Sequence, residues 1–142
     1  MGATATLLTG CKKIQNKAAR LVTLSKKYDH ITPVLEDLHW LPLEYRIRYK
    51  ALLHVFNCVN DMSPVYLKEL VNVYTPTRNL RSNDSNLLCI PKSKLSFHFK
   101  AFSVFAPHYW NALDNDIRKI TDVVSFKKSL KTHLFREAFN IQ

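Results

Sequence analysis

From Leu43 to Asn60 the chain reads LEYRIRYKALLHVFNCVN. Placed at about 100° per residue, most of this helical wheel is apolar. Tyr45, Tyr49, Leu52, Leu53, Phe56 and Val59 form one broad arc, and Ile47, Ala51, Val55 and Cys58 form a second. Only Arg46, Lys50, His54 and Asn57 make a polar stripe. A helix apolar on most of its circumference belongs in the middle of a bundle, where it meets neighbours on several sides. The spacing therefore predicts a central helix over about 43–60 with a basic ridge on its wet face.

The other elements are read around it. Residues 1–10 are expected to be disordered. Ile14, Ala18, Leu21 and Val22 place one face of a helix over Cys11 to Leu24, with Lys13, Lys17 and Arg20 lining another. Thr32 as a hydroxyl cap and Pro33 at the first position predict a short helix ending near His39. Leu41-Pro42 then starts the central helix, and Asn60-Asp61 closes it. Ser63-Pro64 repeats the cap-then-proline signal and predicts a helix to about Val71, with Tyr66, Leu67 and Leu70 facing inward.

Tyr74 to Asn86 is polar and turn-rich, the pattern of an extended surface loop. Leu87 to Pro91 and Leu95 to Phe99 are short runs that pair as a small hairpin. Ala101 to Leu113 returns to helical spacing, with Phe102, Phe105, Tyr109, Trp110 and Leu113 on one face; Pro107 either kinks this helix or starts its main segment. Asp122 or Ser125 caps a final helix whose stripe is Val123, Phe126, Leu130 and Leu134. Arg48 falls within the apolar circumference of the central helix and either snorkels to the rim or, preferably, pairs with Glu36 or Asp37. The expected fold is mainly α: a helical bundle around the central helix, with at most one small β-hairpin, forming one domain over residues 11–139.

Charge changes the picture more than composition does. With 21 Lys plus Arg against 11 Asp plus Glu, the formal charge is +10, which favours polyanionic partners such as nucleic acid or an anionic membrane. Three cysteines, Cys11, Cys58 and Cys89, include no CxxC pair, so neither a disulfide framework nor a zinc ribbon is implied, and reduced thiols in an intracellular setting are expected. No run approaches the ~18 apolar residues of a membrane span. The opening MGATAT fits the N-myristoylation pattern, with Lys12, Lys13, Lys17 and Arg20 as a second, polybasic signal.

Catalytic chemistry finds little support. His54 and Cys58 share i, i+4 spacing but read as a surface histidine beside a buried thiol. His133 reads as a packed histidine rather than a ligand. His98 and His108 have no nucleophile in a strained turn and no GxSxG nearby. Two glycines cannot build a phosphate-cradling loop of the usual form, and Asp114 and Asp116 flank a turn. No catalytic residue, metal site or cofactor is expected. Basic residues, in contrast, recur on every face left exposed: Lys13, Lys17 and Arg20; Arg46 and Lys50; Lys127, Lys128 and Lys131; and Arg78 and Arg81 in the polar loop. Such cations hold phosphates with steep salt dependence and little sequence preference. Most aromatics sit at core spacing, so none is assigned to base stacking.

Five ordered blocks carry a family resemblance: IQNKAARLV (Ile14 to Val22), YDHITPVLEDLHWLPLEYRI (Tyr28 to Ile47), YTPTRNLRS (Tyr74 to Ser82), KAFSVFAPHYWNAL (Lys100 to Leu113) and SFKKSLKTHLF (Ser125 to Phe135). Together they resemble the region after the polymerase domain in reverse transcriptases of non-LTR (LINE-type) retrotransposons, from about Ile14 to Phe135. The resemblance implies a helical, thumb-like segment that helps hold template RNA and target DNA, with a polymerase domain in trans as a second partner. It implies no catalytic residue, because the family's aromatic-Ala-Asp-Asp turn does not occur here. Asp114 stands where these elements commonly have proline, and Ser25 and Asp61 replace glycines. His39 to Pro42 (HWLP) is expected to join two helices, with Trp40 in a packing role. The expected function is non-catalytic RNA or DNA binding. The alternatives are a degenerate relic or scaffold without binding activity, and a myristoylated basic membrane-associated module.

Overall fold

The computed structural model describes residues 5–75, 86–92 and 101–141. The described residues are mainly α, with seven helices: α1 (Ala5–Thr23), α2 (Ile31–Asp37), α3 (Leu43–Val59), α4 (Val65–Lys68), α5 (Phe102–Asn111), α6 (Asn115–Arg118) and α7 (Val123–Phe139). As its wheel predicts, α3 is central, packing against α1, α4, α5 and α7. Ala51, Leu52, Val55, Phe56 and Cys58 are buried along it, while Arg46, Lys50 and His54 are exposed. The buried Cys58 beside the exposed His54 matches the expected arrangement.

The core is closed by aromatic packing between distant segments. The Phe56 and Phe126 rings stack with centroids 4.1 Å apart, and Trp110 lies tilted over Phe126 at 5.9 Å. The Trp110 indole N–H donates to the Asn86 carbonyl at 2.8 Å, so its one polar atom is satisfied at the edge of the core. Helix α5 runs from Phe102 through a buried Pro107 to Asn111. Asn111 clamps the other chain crossing: its Nδ2 donates to the Leu88 carbonyl and its Oδ1 accepts from the Leu88 N–H, each at 2.9 Å.

A second apolar cluster joins α1 to the α2–α3 corner through Ala19, Val34 and Leu35, with Trp40 and Phe139 packed against it. That corner is a Schellman turn. His39 N–H donates to the Glu36 carbonyl, Trp40 N–H donates to the Leu35 carbonyl, both at 2.9 Å, and His39 adopts φ 52°. Leu24, Asp61 and Asn140 hold the same left-handed conformation beyond α1, α3 and α7. Glycine usually occupies such sites because other residues meet a Cβ clash there. This chain has only two glycines and spends neither on them.

Several expectations are corrected. Helix α1 begins at Ala5, not Cys11, so residues 5–10, expected to be disordered, are helical. Its apolar face does not turn inward: Ile14, Leu21 and Val22 are exposed, while Gln15 and Ala19 face the body. Ala19 permits close approach, and Gln15 Nε2 donates to the Leu41 carbonyl at 2.8 Å. The residue capping α2 is His30, with no side-chain cap bond, so Thr32 lies inside the first turn. Helix α4 is a single turn; Leu67 packs on the core, but Tyr66 and Leu70 are exposed because the helix ends before its period can repeat. Arg48 pairs with Glu137 of α7 rather than Glu36 or Asp37, because α2 packs on α1 while α7 passes alongside α3. His133, partly covered on α7, also lies 3.5 Å from the Asp114 carboxylate.

Leu87 to Pro91 meets the segment after α4, through an antiparallel bridge between Val73 and Leu88. Leu95 to Phe99, the other arm of the expected hairpin, lies outside the described residues. Of the two capping candidates for α7, Asp122 does the work, accepting from the Ser125 N–H at 2.7 Å. No helix among the described residues is long and apolar enough to cross a membrane.

Candidate nucleic-acid interface

Residues at i and i+4 on one helix face lie one above the other, so α3 projects Arg46 and Lys50 as neighbouring cations on its single wet stripe. Two features of the fold turn this ridge into the wall of a groove. The Schellman turn after α2 folds His39, Trp40 and Leu41 back beside the start of α3. The stacking of Phe56 on Phe126 brings α7 alongside α3, which carries Lys131 to the same opening. The result is a groove of about 400 Å³ lined by His39, Trp40, Leu41, Arg46, Tyr49, Lys50 and Lys131.

The groove combines three cations with aromatic surface. Arg46, Lys50 and Lys131 are exposed. Tyr49 and Trp40 are half-buried, each packed on an apolar cluster and presenting its remaining surface to the opening. Burial pushes the Tyr49 phenol above its ordinary value. A cationic rim beside flat aromatic surface suits a phosphate–sugar chain with a base against it. On the far side of the ridge, Arg46, Lys50 and His54 border an open apolar hollow with Leu43, Ile47, Ala51 and Phe102.

The remaining basic residues separate into other groups. Lys13, Lys17 and Arg20 line a shallow groove of about 680 Å³ beside α1, together with Lys27. Arg20 is partly committed there, donating through Nη2 to the Asp29 carbonyl at 2.9 Å. Lys128 borders another hollow with Asp114, His133 and Arg136. Lys127 is exposed on α7 and lines none of these grooves. Arg78 and Arg81 lie outside the described residues.

Three groove residues were absent from the sequence-based set. Lys27 follows α1 in a loop, outside any periodic pattern. The helical spacing of Tyr49 sets it in the core arc, and it is half-buried. Trp40 was assigned to packing, which it does against the Ala19, Val34 and Leu35 cluster; that it also faces a cationic groove depends on how the corner folds. Among the described residues, no three His, Cys, Asp or Glu side chains gather where they would hold a metal ion. No family model, curated protein or solved structure matches the chain.

Proposed function

We propose that this protein is a non-catalytic nucleic-acid-binding module that holds RNA or DNA through phosphate contacts with little sequence preference. The observation that supports the reading best is the convergence of Arg46 and Lys50 with Lys131 beside Trp40 and Tyr49 in one groove. Three cations around a 400 Å³ opening follow a phosphate backbone, and the two aromatic edges offer sequence-tolerant contact with a base. The resemblance to the region after the polymerase domain of non-LTR retrotransposon reverse transcriptases points the same way and adds a polymerase domain in trans as a partner.

The test is binding of the purified protein to structured RNA, single-stranded DNA and duplex DNA over a salt series. Affinity should fall steeply with salt, by close to one unit of logarithmic slope per phosphate contact. Arg46→Glu/Lys50→Glu/Lys131→Glu should weaken binding to all sequences alike. A control set outside the groove, Lys92→Glu/Lys119→Glu/Lys127→Glu, changes charge equally and should weaken it less. Equal losses from both sets would reduce the groove to a share of the general positive field, and no binding at low salt by the folded protein would end the proposal.

A further inference from the structure

The outward face of α1 is a feature that nucleic-acid binding leaves unused. Leu7, Cys11, Ile14, Ala18 and Leu21 recur at alternating spacings of four and three residues, and with Val22 they fall within an arc of roughly 100°. All are exposed; for the four large side chains Leu7, Ile14, Leu21 and Val22 the exposed fractions are 64%, 68%, 77% and 61%. Leu24 and Tyr28 extend the apolar surface past the helix end at 87% and 91%. An apolar stripe this continuous marks an interaction surface.

What lies beside the stripe identifies the occupant. Lys13, Lys17 and Arg20 follow on the adjacent arc of the same helix, and with Lys27 they share one groove with Leu21 and Leu24. Helix α1 contains no acidic residue. Among the described residues none of these four cations forms an ion pair. Two copies set stripe to stripe would bring two acid-free cationic helices together, and a nucleic acid would leave the aliphatic stripe in water. We propose that α1 is an interfacial helix that lies in the surface of an anionic bilayer. Its Leu and Ile side chains enter the acyl boundary, and Lys13, Lys17, Arg20 and Lys27 reach headgroup phosphates or carboxylates beside them. The long stems of the lysines let their ammonium groups rise to the headgroups while the stripe is immersed. The helix packs on the body through the flank that carries Gln15 and Ala19, chiefly against α2 and α3, and the neighbouring stripe stays exposed to solvent. This binding needs no lipid modification and does not rest on the nucleic-acid proposal.

The test uses the unlipidated full chain sedimented with vesicles of phosphatidylserine and phosphatidylcholine in equal parts, and with pure phosphatidylcholine. Binding to the anionic vesicles alone is expected. Leu7→Ser/Ile14→Ser/Leu21→Ser keeps every charge and alters only exposed side chains, so it should fold as the parent does yet lose at least about tenfold in partitioning, while its nucleic-acid affinity stays unchanged. An environment-sensitive dye on Cys11, in a Cys89→Ser background, should shift to the blue on anionic vesicles. Serine-variant binding equal to the parent's would show plain polycation adsorption and overturn the proposal. So would absence of binding, or a parent dimer that the serine variant dissolves.

Discussion

Arg48 Nη1 donates to Glu137 Oε1 at 2.8 Å, joining α3 to the last turn of α7 across 89 residues of sequence. The guanidinium also lies over two rings, 4.8 Å from the centroid of Tyr45 and 4.4 Å from that of Tyr109. The cation is thus held by a carboxylate at its end and by aromatic faces along its plane. The two kinds of contact differ in solvent exposure: Glu137 is about half exposed, whereas the arginine side chain is largely covered. Glu137→Gln should therefore cost well under 1 kcal/mol. Arg48→Ala removes the ring contacts and the packed stem as well, and should cost about 1–2 kcal/mol. Urea denaturation of the two variants checks the difference, and equal losses would assign all of the stabilisation to the ion pair.

Phe126 is the residue on which the core converges, stacked on Phe56 and overlaid by Trp110. Phe126→Ala should destabilise by about 3–5 kcal/mol, through lost burial plus the cavity left behind. Against a typical total of about 5–15 kcal/mol, such a loss removes a large share of the stability and should lower the melting temperature markedly. Phe126→Leu retains most of the volume and should unfold cooperatively at a lower temperature.

Gly10 sits inside α1 with no backbone angle that favours glycine, and a Cβ built there meets nothing within 4 Å. Gly10→Ala should therefore stabilise the protein by about 0.5–1 kcal/mol, through helix propensity and a less flexible unfolded chain. The measurement also tests where α1 begins. If the helix started only at Cys11, the substitution would leave the melting temperature unchanged.

The Ser125 backbone N–H, donating to the Asp122 carboxylate at the start of α7, holds that carboxyl below its ordinary value. The charged form is favoured by folding, so its contribution is complete above the unfolded carboxylate pKa of about 4 and disappears as pH falls through the lower folded value. Asp122→Ala should melt below the parent at neutral pH, and the gap should close progressively in acid below about pH 4. Asp61, held down by the hydrogen bond and charge of the Lys68 ammonium at 2.7 Å, behaves with the same sign. A gap that widens in acid would contradict the cap.

Arg46, Lys50 and Lys131 should each contribute to the salt dependence of nucleic-acid binding. Charge-neutral Arg46→Gln, Lys50→Gln and Lys131→Gln variants should each lower the logarithmic salt slope by about one, with no change in sequence preference. Lys127→Gln, outside the groove, should leave the slope close to that of the parent. A preference for one base sequence in the parent would show readout beyond phosphate contact.

Local rules made much of this protein legible from its residues. Burial around most of α3, the exposed Arg46–Lys50–His54 ridge, a cap at Asp122 or Ser125 and the Phe126, Leu130, Leu134 stripe all follow from helical period and from the orphan N–H groups at a helix start. Period, however, says which residues share a face and not which face meets which. Helix α1 offered the body an apolar stripe and a face carrying Gln15 and Ala19. Tertiary packing took the second, because a small residue and one hydrogen bond allow a closer approach. Arg48 pairs with Glu137 rather than with the acids of α2, nearer in sequence, because α7 and not α2 runs alongside it. Lys131 joined Arg46 and Lys50 across a groove that neither α3 nor α7 encodes alone. Each helix carries the information for its own faces, and the pairing of faces is a property of the whole chain, decided by long-range packing that no local spacing records.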